Sequence, residues 1–110
     1  MLDSWLFGAV LIAHWIADFV LQTDKMALNK SKSNRWLAYH VGAYTLFMSV
    51  FFGPLFGIIN GLCHLATDWF SSRITTKLWA SGDRHNFFVV IGLDQLAHTL
   101  VLLGTLSLIW

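Results

Sequence analysis

Glutamate is absent from this chain, and charge of either sign is scarce: Asp, Lys and Arg together make up 12% of its 110 residues. A soluble domain carries about 25% charged residues and needs polar outer faces, so a soluble helical protein is set aside. Cysteine occurs once, as Cys63, which excludes an intrachain disulfide and leaves the redox compartment open. Proline occurs once, as Pro54, so the chain has few enforced breaks. The opening residues, Met1-Leu2-Asp3-Ser4, lack the basic stretch of a signal peptide, and no small-residue cleavage site precedes His14. The first apolar run is therefore expected to be a retained helix.

Apolar residues are abundant, at 56% of the chain with a mean hydropathy of +0.62. They fall into four runs, 5–21, 36–52, 54–70 and 87–110, each near the lower length limit for crossing a bilayer. The expected fold is all-α: an integral membrane four-helix bundle forming a single transmembrane domain over residues 1–110. Gly53-Pro54 supplies the break between the second and third runs, with Pro54 suited to the first turn of a helix. Every Lys and Arg lies in one of two stretches: Lys25, Lys30, Lys32 and Arg35 between runs one and two, and Arg73, Lys77 and Arg84 between runs three and four. Under the positive-inside rule both basic loops face the cytoplasm and both termini face outward, in the cell inner (cytoplasmic) membrane. Trp5, Trp36, Trp69, Trp79 and Trp110 sit near the ends of the runs, as interfacial aromatics do.

Against this apolar background stand three acid–histidine pairs, His14/Asp18, His64/Asp68 and Asp94/His98, each at i, i+4 and so on one helix face, with a lone His40. Ionisable groups in a bilayer are costly and by default face the protein interior and serve a function. The segments 13–19 and 63–69 echo one another, each running into a basic stretch. Both then cross in the same direction, which makes two helical hairpins a weak parallel internal repeat. At 1.5 Å per residue the polar groups lie from about 3 Å (Asp68) to about 16 Å (His98) inside the cytoplasmic boundary, so all seven converge in one half of the membrane.

No Lys or Arg falls inside a run to offset Asp18, Asp68 and Asp94. Three close carboxylates repel and take up protons unless a divalent cation or protonated histidines relieve them. Mixed His and Asp donors suit a divalent transition metal (Zn, Mn, Fe or Ni) better than Mg or Ca. His14, Asp18, His64, Asp68, Asp94 and His98 are the expected metal ligands, enough for one metal with outer partners or for two. His40 and Asp94 are the candidate catalytic bases. Gln22, Asn60 and Gln95 extend the same stripes as hydrogen-bonding groups, and His85 reads as a solvated loop residue. Gly53, Gly57 and Gly61 repeat every fourth position, a pattern that lets helices approach closely.

These residues also resemble a family. His14-x-x-x-Asp18-Phe19-x-x-Gln22 followed by Lys25 and Lys30, a lone His40, His64-x-x-x-Asp68, and Asp94-Gln95-x-x-His98 are similar to the motifs of an uncharacterised family of small bacterial and phage membrane proteins. The resemblance covers nearly the whole chain. It implies a multi-spanning membrane protein but no established activity, substrate or metal. A more distant similarity, in general character, is to membrane-bound metal-dependent hydrolases with intramembrane His and Asp.

The leading expectation is a membrane-embedded metal-binding protein, in its catalytic form a metal-dependent hydrolase acting at the cytoplasmic side on a lipid-linked or membrane-proximal substrate. The metal lowers the pKa of a bound water and an acidic or imidazole base takes the proton. Expected partners are membrane lipids, with phosphate head groups at the basic loops. The rival expectations are a proton- or ion-relay or transport protein, for which a homodimer completes the pathway, and a non-catalytic membrane partner that modulates host proteins. Nucleic acid is not an expected partner, because the basic residues are few and lie against the membrane.

Overall fold

The computed structural model describes residues 4–109 and is helical almost throughout, with no strand among those residues. Helix α1 (Ser4–Trp15) runs directly into a wide π-helical turn, Ile16–Val20, closed by Leu21 N–H donating to the Ile16 carbonyl at 2.9 Å. Thr23 Oγ1 then accepts from Met26 N–H at 3.2 Å and caps the short helix α2 (Asp24–Asn29), whose Asp24 lies in the favourable first turn. The stretch expected as a basic loop thus contains a helical turn of its own. Helix α3 (Asn34–Phe52) ends at Gly53, which adopts φ +95°, and Pro54 opens α4 (Pro54–Ala80). Gly53 is the expected break, and glycine is needed there because an L side chain strains that backbone.

Helix α4 runs well past the expected end at Phe70. Nothing in 71–80 interrupts it: the Thr75 and Thr76 side chains fold back onto the helix, Thr76 Oγ1 donating to the Ser72 carbonyl at 2.8 Å. Arg73 and Lys77 therefore stand on a helix and not in a loop. Gly82 at φ +80° makes the turn, and α5 (Arg84–Ile109) begins three residues before the expected start at Phe87, capped by Asp83. His85 is exposed on the first turn of α5. Trp110, placed among the interfacial aromatics, lies outside the described residues.

The four longer helices close into a ring, α1 touching α3, α3 packing on α4, α4 on α5, and α5 returning to α1. Gly57 and Gly61 serve the α3–α4 seam. A Cβ at Gly57 would meet Ser49, its backbone N at 2.6 Å and Cα at 2.7 Å, and one at Gly61 would run into the Thr45 side chain. Inside the ring, Val10, Met48, Phe56, Leu102 and Leu106 form an apolar plug at one end. Asn60, donating to Thr105 Oγ1 at 2.9 Å, marks the change to the other end, where the buried polar side chains gather. Much of the outer surface is apolar: Ile12, Leu46, Val50, Leu62, Phe70 and Leu100 are all more than half exposed. Hydrocarbon on the outside thus surrounds an interior that is apolar at one end and polar at the other.

Among the described helices, α5 alone is long and apolar enough to cross a membrane by length and composition, with a mean hydropathy of 1.8 over its most apolar stretch. Ser4–Val20 is apolar but shorter. Helices α3 and α4 carry His40, Asn60, His64, Asp68 and their basic ends, which lower their average. The all-α expectation is met, and of the four expected spans one, in α5, meets this criterion among the described helices.

Candidate metal centre

The i, i+4 spacing does what the helices allow. Asp18 projects from the π turn, His40 from the first half of α3, His64 and Asp68 from α4, and Asp94 and His98 from α5. All but Asp94 are at least 95% buried, and Asp94 is half-buried. Four atoms from three elements converge: His40 Nε2, His64 Nε2, Asp18 Oδ1 and Asp68 Oδ2. His40 Nε2 lies 3.0 Å from Asp18 Oδ1, 3.0 Å from His64 Nε2 and 3.2 Å from Asp68 Oδ2. His64 Nε2 lies 3.2 Å from Asp18 Oδ1 and 3.4 Å from Asp68 Oδ2.

Ordinary hydrogen bonding does not account for these distances. Each Nε2 carries at most one proton and the carboxylate oxygens carry none when ionised, so at most two of the five contacts are N–H donations. A central cation could bring these atoms together. Four N and O ligands at 2.0–2.2 Å around a tetrahedral ion stand about 3.3–3.6 Å from one another, and closer if the coordination is higher, so the observed 3.0–3.4 Å lies at or below the tetrahedral range. Two imidazoles and two carboxylates are a donor set for a first-row transition metal, and their two negative charges balance a divalent ion.

The remaining polar groups surround this core. Gln95 Nε2 donates to Asp94 Oδ2 at 3.1 Å and to Asp18 Oδ2 at 3.4 Å, so its oxygen faces the other way, toward His14 Nε2 at 3.2 Å. His14 must then donate from Nε2 and accept the Tyr44 hydroxyl at Nδ1, 3.0 Å away. Both nitrogens of His14 are engaged and neither lone pair is left for a metal. His14, expected as a ligand, sits 3.7 Å from Asp18 Oδ2 as part of the surrounding shell. His40, expected as a base, stands instead inside the four-atom cluster, with its Nδ1 buried and unpartnered.

His98 and Asp94 form, with the second oxygen of Asp18, a further group within ligand reach. His64 Nδ1 and His98 Nδ1 lie 3.2 Å apart, however. If His64 ligates through Nε2, its proton is on Nδ1 and is donated to His98, whose own proton is then on Nε2. His98 Nε2 faces Asp94 Oδ2 at 3.2 Å and Asp68 Oδ1 at 3.4 Å. These are close approaches without hydrogen-bond geometry: His98 Nε2 is buried beside the two carboxylates with no hydrogen-bond partner.

Three contributors carry no spacing signal. Tyr44 stacks on His64 at 4.2 Å and 6° while holding His14. Ser71 Oγ donates to Asp94 Oδ1 at 2.6 Å. Lys30 Nζ reaches Asp68 Oδ2 at 3.3 Å, so one cation does offset the three carboxylates, coming from the end of α2 and not from a span. Gln22 keeps its oxygen buried without a partner, and Asn60 belongs to the α4–α5 seam rather than to the cluster. Beside the cluster a cavity of about 530 Å³ opens, with Asp18, Asp68 and Asp94 in its wall.

Neither a curated protein nor a solved structure matches the chain. The family described as Protein of unknown function (DUF3307) matches over residues 6–110, and the chain belongs to that family.

Proposed function

We propose that this protein is a multi-pass membrane protein that holds one divalent transition metal (Zn, Mn, Fe or Ni) between Asp18, His40, His64 and Asp68. The observation that carries the reading is the convergence of four ligand atoms at 3.0–3.4 Å with too few protons to explain it. The largely apolar exterior around an interior that is polar at one end supports a bilayer setting. His64 Nε2 approaches both Asp18 of the π turn and Asp68 of α4, so the two His–x–x–x–Asp segments meet, which agrees with the parallel-repeat reading. Lys25, Lys32, Arg73 and Arg84 then mark the cytoplasmic side of the inner membrane, where lipid head groups are its neighbours.

The catalytic form of the reading is a metal-dependent hydrolase acting at that side on a lipid-linked or membrane-proximal substrate. A metal in this site supplies an activated water. Asp94, half-buried, lining the cavity and fixed by Ser71 and Gln95, is the group placed to accept a proton from it. The test is elemental analysis of protein purified in mild detergent without chelators, beside a His64→Ala, Asp68→Ala double variant. About one equivalent of metal, lost in the folded double variant, is expected. Metal-free, well-folded wild type sinks the reading.

One observation favours a second reading, a proton relay. His64, His98, Asp94 and Ser71 line up from the buried cluster to the cavity, with hydrogen-bond contacts at His64–His98 and Ser71–Asp94 and a 3.2 Å approach of His98 Nε2 to Asp94 Oδ2 between them. Proton flux in proteoliposomes, abolished in Asp94→Asn, would favour this over hydrolysis.

A further inference from the structure

The cavity has a mixed lining. It includes Asp18 and Asp68 of the metal cluster, with Asp94. Its polar part also includes Lys30 and Lys32 with the hydroxyl face of α4, where Ser72 is 93% buried and its Oγ has no hydrogen-bond partner. Its apolar part includes Leu28, Trp79, Phe87 and Ile91. A buried hydroxyl without a partner is costly unless a ligand atom satisfies it. Two lysines and a hydroxyl donor lining one cavity suit the oxygens of a phosphate, which accepts from all three.

Without a cation, Asp18, Asp68 and Asp94 would repel that phosphate. The divalent ion of the proposed centre and Lys30 would offset those three carboxylates, and Lys32 would then leave the lining net positive toward an anionic oxygen. The apolar part of the lining has no role for inorganic phosphate or a sugar phosphate. It does have one for an acyl or isoprenoid chain, whose burial is worth about 0.8 kcal/mol per CH₂ group.

We infer that this cavity binds the phosphate of a lipid phosphate ester, the phosphate held by Lys30, Lys32 and Ser72 and the chain against the apolar part of the lining. The inference rests on the metal reading and names the ligand class of that same site. Phosphate chemistry is shared by soluble and lipid ligands; the mixed polar and apolar lining selects the lipid.

The test uses the full chain, with its metal content measured first, in phosphatidylcholine nanodiscs. It is titrated with dioctanoyl phosphatidic acid, inorganic phosphate or dioctanoylglycerol, followed by ³¹P line broadening after Mn²⁺ loading and by equilibrium binding. Phosphatidic acid is expected to bind at least tenfold tighter than either fragment and to show ³¹P broadening. Lys32→Ala and Ser72→Ala should each weaken phosphatidic acid several-fold or more while metal content and dioctanoylglycerol binding stay unchanged. Metal retained with phosphatidic acid binding no better than phosphate overturns this inference and leaves the metal centre standing. Neither metal nor binding overturns both. Equal binding of phosphatidic acid and dioctanoylglycerol overturns the phosphate assignment.

Discussion

His64 and His98 face each other Nδ1 to Nδ1 across 3.2 Å, and a pair of neutral imidazoles fills that gap with a single proton. The two rings are therefore unequal: one can offer its Nε2 lone pair to a metal and the other offers an N–H. His64 has its Nε2 among three other ligand atoms, whereas His98 has its Nε2 between Asp94 and Asp68.

From this inequality, His98→Ala should keep one equivalent of metal but bind it about 10–100-fold more weakly, as loss of an orienting partner does. His64→Ala should abolish binding. Competition with a calibrated chelator measures both. Two equivalents in wild type, one of them lost in His98→Ala, would instead make Asp18, Asp94 and His98 a second metal site.

Metal ligation requires imidazole lone pairs and ionised carboxylates, so protons compete with the ion. Affinity should fall as pH is lowered and recover on return to neutrality, with protons released when metal is added. Unbuffered titration with a pH electrode reads that release directly, and a pH-independent affinity would speak against the His₂Asp₂ set.

Tyr44 does two jobs that substitution separates. Tyr44→Phe keeps the stack on His64 and loses the hydroxyl to His14, at a cost of about 1 kcal/mol. Tyr44→Ala opens a cavity at a fully buried position and should cost roughly 3 kcal/mol or more. Denaturant unfolding in detergent micelles distinguishes the two.

The α3–α4 seam gives a rescue experiment. Gly61→Ala and Gly57→Ala should each destabilise by about 1–3 kcal/mol through overpacking. Thr45→Ala should restore the first, because what the new methyl meets at Gly61 is the Thr45 side chain. No change at Ser49 should restore the second, because there it meets backbone. Thermal unfolding of the four single and double variants checks the contrast.

The i, i+4 pairs were readable in the sequence because a helix turns that spacing into a shared face, as for His64 and Asp68 on α4; Asp18 meets them through tertiary packing from the π turn. Pro54 and Gly53 marked the hairpin for an equally local reason. Lys30 was not readable as a partner of Asp68, since its reach depends on how α2 docks, a tertiary fact with no period. Nor was the division of labour among the histidines. Ligand and supporting imidazoles look alike in sequence and differ only in where each second nitrogen points. The extension of α4 through 71–80 was hidden by its Ser, Thr and basic residues, whose polarity suggests a loop although none of them breaks a helix.

At the turn into α5, Asp83 accepts from Asn86 N–H at 3.1 Å and Asn86 Nδ2 at 2.8 Å, which holds its carboxyl below the usual value. A lowered folded pKa contributes stability that is present above the unfolded value, about 3.9, and is lost as pH falls through the folded one. Acid should fray the start of α5 there, and Asp83→Asn should remove that pH dependence while keeping a cap. Hydrogen exchange at 84–88 between pH 3 and 6 reports it.

The polar end of the interior bears on how such a chain would assemble if it crosses a bilayer, as proposed. Asp18 and Asp68 meet partners largely on other elements, Asp18 with His40, His64 and Gln95 and Asp68 with Lys30, His40 and His98, whereas Asp94 takes Ser71 alone from outside its own helix. Early helices would then carry unmet demands that only later helices answer. Assembly would become an all-or-none event, with α5, the most apolar of the long described helices, sealing the ring.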